Sequence, residues 1–338
     1  MTGWKKTILA VALVLASLLG YVVYSAEGGE GSVGFQTTQA TDSKGAPVLI
    51  GVWYPTEART WPTTLLGLTL MKVAKEGPIA GTGLPLVVIS HGNGAGVTAH
   101  VDLALALASN GYVVAAPMHS GDNFQDQSAV GTDTFFNLRS QQFLASIDHM
   151  ATKWRGKSHI DPDRVGAFGM SMGGFTVLTA IGALPELGRI ATHCAGAKEF
   201  VCDVLRHFKS PYAKGAPKAG EPFLTDHRIK AAVLAAPGLG FTMTAASLGA
   251  VKAPVQLWTG DKDDKVIDPG PVRHLGKQVE YHSVGGAGHL SFLAPCMWLL
   301  RPPATCSDIG EFDRAAFHAT MNASVVRFFD AHLKRGRD

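Results

Sequence analysis

Residues 164–175 read Arg-Val-Gly-Ala-Phe-Gly-Met-Ser-Met-Gly-Gly-Phe and contain Gly169-x-Ser171-x-Gly173. A serine in that setting is lifted out of a strand-to-helix turn, where its hydroxyl is exposed as a nucleophile. The turn forces strained backbone angles on Ser171, and glycines flank it because side chains there would collide with the strand and helix crossing beside them. Glycine is frequent, 39 of 338 residues, so the short pattern takes its weight from context. Val165 to Met170 is an apolar run after the turn signal Asp161-Pro162-Asp163, as a buried strand requires, and 173–182 is apolar enough to pack as a helix. The N-terminus of that helix would bring N–H donors and a positive dipole end to the place where an oxyanion forms.

A serine hydroxyl becomes a competent nucleophile when a base takes its proton and an acid orients that base. Gly285-Gly286-Ala287-Gly288-His289 follows the last predicted strand, 279–284, and such a loop can carry His289 back over the sheet edge as the base. His274, His282, His318 and His332 fall inside predicted helices or strands and read as surface or packing residues. His91 and His119 end upstream strands, and His91 belongs to a loop that would shape the oxyanion site. For the acid, strand 255–259 runs into Gly260-Asp261-Lys262-Asp263-Asp264-Lys265-Val266. Asp263 fits a Gly-x-x-Asp-x-x-Val loop best, with Asp261, Asp264 and Asp268 as competitors. An oxyanion hole needs two backbone N–H groups. Met172, next after the serine, is one expected donor, and Asn93 in His91-Gly92-Asn93-Gly94 is the other. This chemistry calls for no metal or organic cofactor. A zinc site is also disfavoured, because no CxxC spacing occurs and His193 is the only histidine beside a cysteine.

Several elements must position these groups. Residues 33–39 and 47–54 read as paired antiparallel strands joined by Asp42-Ser43-Lys44-Gly45. From Leu84 the pattern changes to buried strands at 86–90 and 112–117 around a helix at 98–110. Phe143, Ile147, Met150 and Trp154 share one helix face beneath a sheet, while Phe317, Met321, Val325, Phe328 and Leu333 form a C-terminal amphipathic helix. Repeated strand-helix alternation argues α/β, a mostly parallel sheet with helices on both faces. Residues 185–227, rich in Gly, Pro, Lys and His, interrupt it as an insertion over the site. Phe175, Phe241 and Trp298 are read as core before pocket wall.

With Lys+Arg 30 against Asp+Glu 27 and no basic run interleaved with aromatics, nothing points to nucleic acid. Lys5 and Lys6 precede an apolar stretch over 8–23, so 1–25 reads as a signal peptide, or as an uncleaved anchor tethering residues 26–338 to a membrane. The chain is therefore expected to be exported, periplasmic or secreted, with 26–338 as one domain. In an oxidising compartment the local pairs Cys194/Cys202 and Cys296/Cys306 suggest two disulfides, one of three connectivities open to four cysteines.

With these residues in place the chain resembles the α/β-hydrolase superfamily. The likeness is strongest to the branch grouping dienelactone-hydrolase-like proteins with platelet-activating-factor acetylhydrolase-like and cutinase-like esterases. The resemblance rests on Val52-Trp53-Tyr54-Pro55, residues 86–94, Asn110 to Pro117, the Ser171 turn, the Asp263 loop, Gly288-His289, and Cys306-Ser307-Asp308 leading to Phe312-Asp313-Arg314. It implies an eight-stranded sheet, the chain order serine, acid, histidine, and hydrolysis of a small-molecule or lipid-like carboxylic ester through an acyl-enzyme. Ser171 stands where dienelactone hydrolases use cysteine, so lactone chemistry is not inherited. Ala235-Ala236-Pro237 stands where animal acetylhydrolases carry their acid, which favours Asp263. Met172 is similar to the residue that follows the serine in polyester-degrading cutinases. An acyltransferase or peptidase on the same residues, and a non-catalytic envelope binding protein, are the readings from other classes.

Overall fold

The computed structural model describes residues 3–65, 69–216, 222–275, 279–296 and 303–334. In chain order the elements are α1 (Gly3–Ser25), β1 (Val33–Thr41), β2 (Pro47–Pro55), β3 (Trp61–Leu65), β4 (Thr69–Lys75), β5 (Leu84–Ser90), α2 (Val101–Ser109), β6 (Val113–Pro117) and α3 (Phe135–Thr152). Then follow β7 (Ile160–Met170), α4 (Met172–Ala180), α5 (Arg189–Gly196), α6 (Phe200–His207), β8 (Ile229–Ala235), α7 (Ala245–Leu248), β9 (Val255–Gly260), β10 (Val279–Val284), α8 (Pro303–Cys306) and α9 (Arg314–Phe329).

The strands form one sheet in the order β10-β9-β8-β7-β5-β6-β2-β1-β4-β3. From β6 to β10 neighbouring strands are parallel, and β2 pairs antiparallel with both β6 and β1. Helices cover both faces, because strands buried on both sides need apolar cover on each. On one face α2 and α9 bring Leu105, Ala108, Val325 and Phe329 against Val87, Val114 and Phe168. On the other, α3 and α4 bring Phe143, Ile147, Phe175 and Leu178 against Val88, Ala115 and Ala167. Phe175 is thus core, as is Trp154 just beyond the end of α3. Trp298 lies outside the described residues.

The expectation of eight strands is corrected to ten among the described residues. The hairpin β3–β4 extends the edge beyond β1, pairing antiparallel over Trp61↔Val73 to Leu65↔Thr69 and joining β1 only at Gly34↔Ala74 and Phe35↔Lys75. Leu65, Met71 and Val73 are buried in the α2/α9-side core, which gives the hairpin a hydrophobic reason to add to the edge. The helix expected at 98–110 is shorter, Val101–Ser109, because residues 98–100 are taken up by a turn in which Val101 N–H reaches Thr98 O at 3.3 Å.

Cys194 is bridged to Cys202, joining α5 to α6, and Cys296 to Cys306. Part of the 185–227 insertion, residues 217–221, lies outside the described residues. The described side chains of helix α1 from Trp4 to Tyr24 are exposed, and its stretch Thr7–Ser25 is long and apolar enough to cross a membrane. Immediately after it Ala26 is buried, and Glu27 exchanges backbone hydrogen bonds with the Leu70 carbonyl (3.1 Å) and the Lys72 N–H (2.6 Å).

Candidate active site

Parallel strands send their C-terminal ends to one edge, the usual ligand-binding edge of an open α/β sheet. There β5, β7, β9 and β10 deliver the His91–Gly94 turn, Ser171, Asp263 and His289 in turn. Ser171 sits between β7 and α4 at φ 57° and ψ −119°, a conformation that costs a non-glycine residue free energy and is held by its surroundings. Its N–H donates to Ala235 O at 2.9 Å, and its carbonyl accepts from Gly238 N at 2.9 Å and Phe175 N at 3.2 Å. A Cβ on Gly173 would lie 1.9 Å from Ser90 O, and one on Gly169 would lie 2.2 Å from Gly173 O, so the turn closes only with glycine at both places.

Ser171 Oγ is 2.9 Å from His289 Nε2, and His289 Nδ1 is 2.9 Å from Asp263 Oδ2. His289 and the Asp263 side chain are both buried. Asp263 Oδ1 is occupied by the N–H groups of Lys265 (2.9 Å) and Val266 (2.8 Å), which fixes the carboxylate with Oδ2 toward the imidazole. A carboxylate at Nδ1 places the proton there and turns the Nε2 lone pair toward the serine, the arrangement a general base requires. The competing aspartates are engaged elsewhere: Asp261 with Gly286 N–H, Asp264 with Lys265 Nζ, and Asp268 with Gly270 N–H and Arg273. His318 and His282 stand away from Ser171, paired with Asp102 and Glu280 respectively.

Asn93 and Met172 both line the cleft that holds Ser171. Met172 opens α4, where the first N–H groups have no partner within the helix. Phe135, Phe200, Val204, Leu205 and Leu239 make the apolar wall of the cleft. Phe200, Val204 and Leu205 come from α6, inside the segment the sequence marks as an insertion. Phe241 instead stacks on His193 at 3.6 Å, outside the cleft lining. Glu199 is an acid in the wall; burial raises its carboxyl, and the His193 imidazole opposes that. Among the described residues no cluster of three or more His, Cys, Asp or Glu is arranged to hold a metal.

Two residues absent from the sequence reading stand behind the 91–94 turn. Arg139 of α3 and Asp122 form an ion pair with both side chains about 98% buried or more, at 2% and 1% exposure. Asp122 Oδ1 accepts from Asn93 Nδ2 at 2.6 Å and Gly94 N at 2.8 Å. Nearby, His91 Nε2 accepts the His119 N–H at 3.1 Å, and His119 Nε2 meets Ser90 Oγ at 2.9 Å. Burial first, and the Arg139 cation second, push His91 down to about 3 and His119 well below the usual imidazole value, so both are neutral at pH 7. A sequence signal for Arg139 existed: it stands four residues before Phe143, on the same helix face as Phe143, Ile147 and Met150.

Residues 59–153 match the model of the family described as platelet-activating factor acetylhydrolase, isoform II. That stretch holds the 91–94 turn, Asp122 and Arg139 and ends before Ser171. No curated protein matches the sequence. Among solved structures the chain is similar to the ferulic acid esterase from Streptomyces cinnamoneus, at 19% identity and a TM-score of 0.60, over 93% of this chain and 94% of that one. The β6-to-β10 parallel run with antiparallel β2, the serine turn at the end of β7, and this neighbour agree: the chain has the α/β-hydrolase fold.

Proposed function

We propose that this chain is an exported serine hydrolase that cleaves carboxylic esters through an acyl-enzyme. The observation that carries the proposal is the continuous hydrogen-bonded line from Asp263 through His289 to Ser171 Oγ, opening into an apolar cleft. His289 Nε2 takes the Ser171 proton as Oγ attacks the ester carbonyl. The oxyanion is received by the N–H groups of Asn93 and Met172, and Asp263 supports the imidazolium. His289 then gives its proton to the departing alcohol. Water enters along the same path, and a second collapse releases the acid and restores Ser171.

The apolar wall of the cleft favours an uncharged acyl group. The family match over 59–153 supports the phospholipid-acetyl variant of this reading, and the ferulic acid esterase likeness supports a small-ester one. Export is supported by the exposed apolar α1 and by both disulfides. A series of 4-nitrophenyl esters of increasing acyl length tests the proposal. Ser171→Ala is expected to lower kcat by about 10⁶-fold and Asp263→Asn by about 10⁴-fold, each with KM little changed. Equal turnover by wild type and Ser171→Ala would overturn it.

A further inference from the structure

The two N–H groups expected to receive the oxyanion come from different elements, Asn93 from the turn after β5 and Met172 from the start of α4. Local backbone geometry alone cannot set their spacing. One buried cation reaches both. Arg139 pairs with Asp122, whose Oδ1 holds Asn93 Nδ2 at 2.6 Å and Gly94 N at 2.8 Å, and it also donates to the His91 carbonyl. On the other side Arg139 Nε lies 3.3 Å from Thr176 Oγ1, and that hydroxyl donates to the Met172 carbonyl at 3.0 Å.

A fully buried ion pair is a poor source of stability compared with apolar packing, because desolvating two charges offsets their attraction. What the guanidinium supplies is a rigid planar fork of donors with fixed directions. Small errors in the placement of catalytic groups are expensive, about 10²-fold in rate for 1 Å. We infer that Arg139 and Asp122 are positioning residues that set the distance between the Asn93 and Met172 N–H donors. This rests on the proposed role of those two N–H groups.

The test uses the full chain with two substitutions, each first shown to fold by circular dichroism and thermal melting. Asn93→Ala removes the side-chain tether and leaves the backbone N–H and the buried pair in place. Asp122→Asn keeps the shape and removes the charge that faces Arg139. Measured are kcat and KM on a 4-nitrophenyl ester, the affinity for a trifluoromethyl ketone that forms an oxyanion when Ser171 adds to it, and the affinity for the matching secondary alcohol, which forms none. Losing one oxyanion donor costs ~10² to 10³ in turnover, so kcat should fall about 10-fold in Asn93→Ala and about 10²-fold in Asp122→Asn, with KM within about threefold. Ketone affinity should fall in the same proportion, and alcohol affinity should hold. An active wild type with both variants within threefold of it in kcat would overturn the positioning role alone. So would losses shared equally by kcat, ketone and alcohol. A wild type inert to ester and ketone would overturn the hydrolase reading and this inference with it. If Asp122→Asn does not fold, Asn93→Ala decides by itself.

Discussion

Ser171 holds a positive φ of 57°, its N–H tied to Ala235 O and its carbonyl to Gly238 N, with glycines as close neighbours of the turn. Gly173 is the tightest of these neighbours. Its substitution by alanine would drive a Cβ to 1.9 Å from Ser90 O, and that oxygen belongs to the end of β5, which cannot retreat without moving the 91–94 turn. Overpacking of this kind costs about 1–3 kcal/mol or more. Gly173→Ala is therefore expected to lower the unfolding free energy by at least that amount and to abolish ester hydrolysis. Gly188→Ala, at a site with open space, should leave both unchanged. A Gly173→Ala protein with wild-type melting and turnover would contradict this account of the turn. The sequence marks Ser171, Asp263, His289, Asn93 and Met172 as candidates because each stands at a strand end or in a glycine-marked turn. Asp122 was not, since residues 118–134 carry no periodicity. Arg139 carried a signal as a charge on the apolar face of α3, but its pairing did not, because its partner lies 17 residues away in that same irregular stretch.

At the scale of elements, strands β5 to β9 could be read from apolar runs, whereas the β3–β4 hairpin could not. Its strand Trp61-Pro62-Thr63-Thr64-Leu65 alternates weakly and contains a proline suited to an edge, and the hairpin is held by Leu65 together with Met71 and Val73 of β4 on the Trp53 side of the core. The role of α6 in walling the cleft was likewise out of reach, because it depends on how the Cys194–Cys202 hairpin folds back. A polar link between α2 and α9 has a measurable consequence. Asp102 meets His318 Nδ1 at 2.6 Å and Asn322 Nδ2 at 2.7 Å, and His318 Nε2 lies 2.9 Å from Ser291 O in the turn that begins at His289. Burial pushes the Asp102 carboxyl up, but the His318 ion pair and hydrogen bond, with Asn322, prevail and hold it at about 2. Its folded value lies below the unfolded value of about 3.9, so its contribution is full above that pH and is lost as pH falls toward 2. His91, held down at about 3, acts over a higher window: the unfolded imidazole takes a proton near about 6.5 and the folded one does not, so stability falls as pH drops from there. The melting temperature is expected to decline steadily from pH 7 to pH 3, and Asp102→Asn should flatten the part below about pH 4. A melting temperature constant from pH 7 to pH 4 would contradict the burial of neutral His91 and His119.

At the scale of the whole molecule, an α/β-hydrolase sheet gathers side chains from four strand ends onto one edge, and an exposed apolar helix precedes it. The segment that follows α1 is bound to the body at once, through buried Ala26 and the Glu27 bridge to β4. The helix therefore has a short, fixed point of departure whether it is removed or retained as a tether. The central claim is that this body activates Ser171, and it is tested most directly by exposing the purified full-length chain to a fluorophosphonate and mapping the adduct by peptide mass. The account predicts a single adduct on Ser171 that is lost in His289→Ala. No adduct on folded protein, or an adduct that persists without His289, would contradict it.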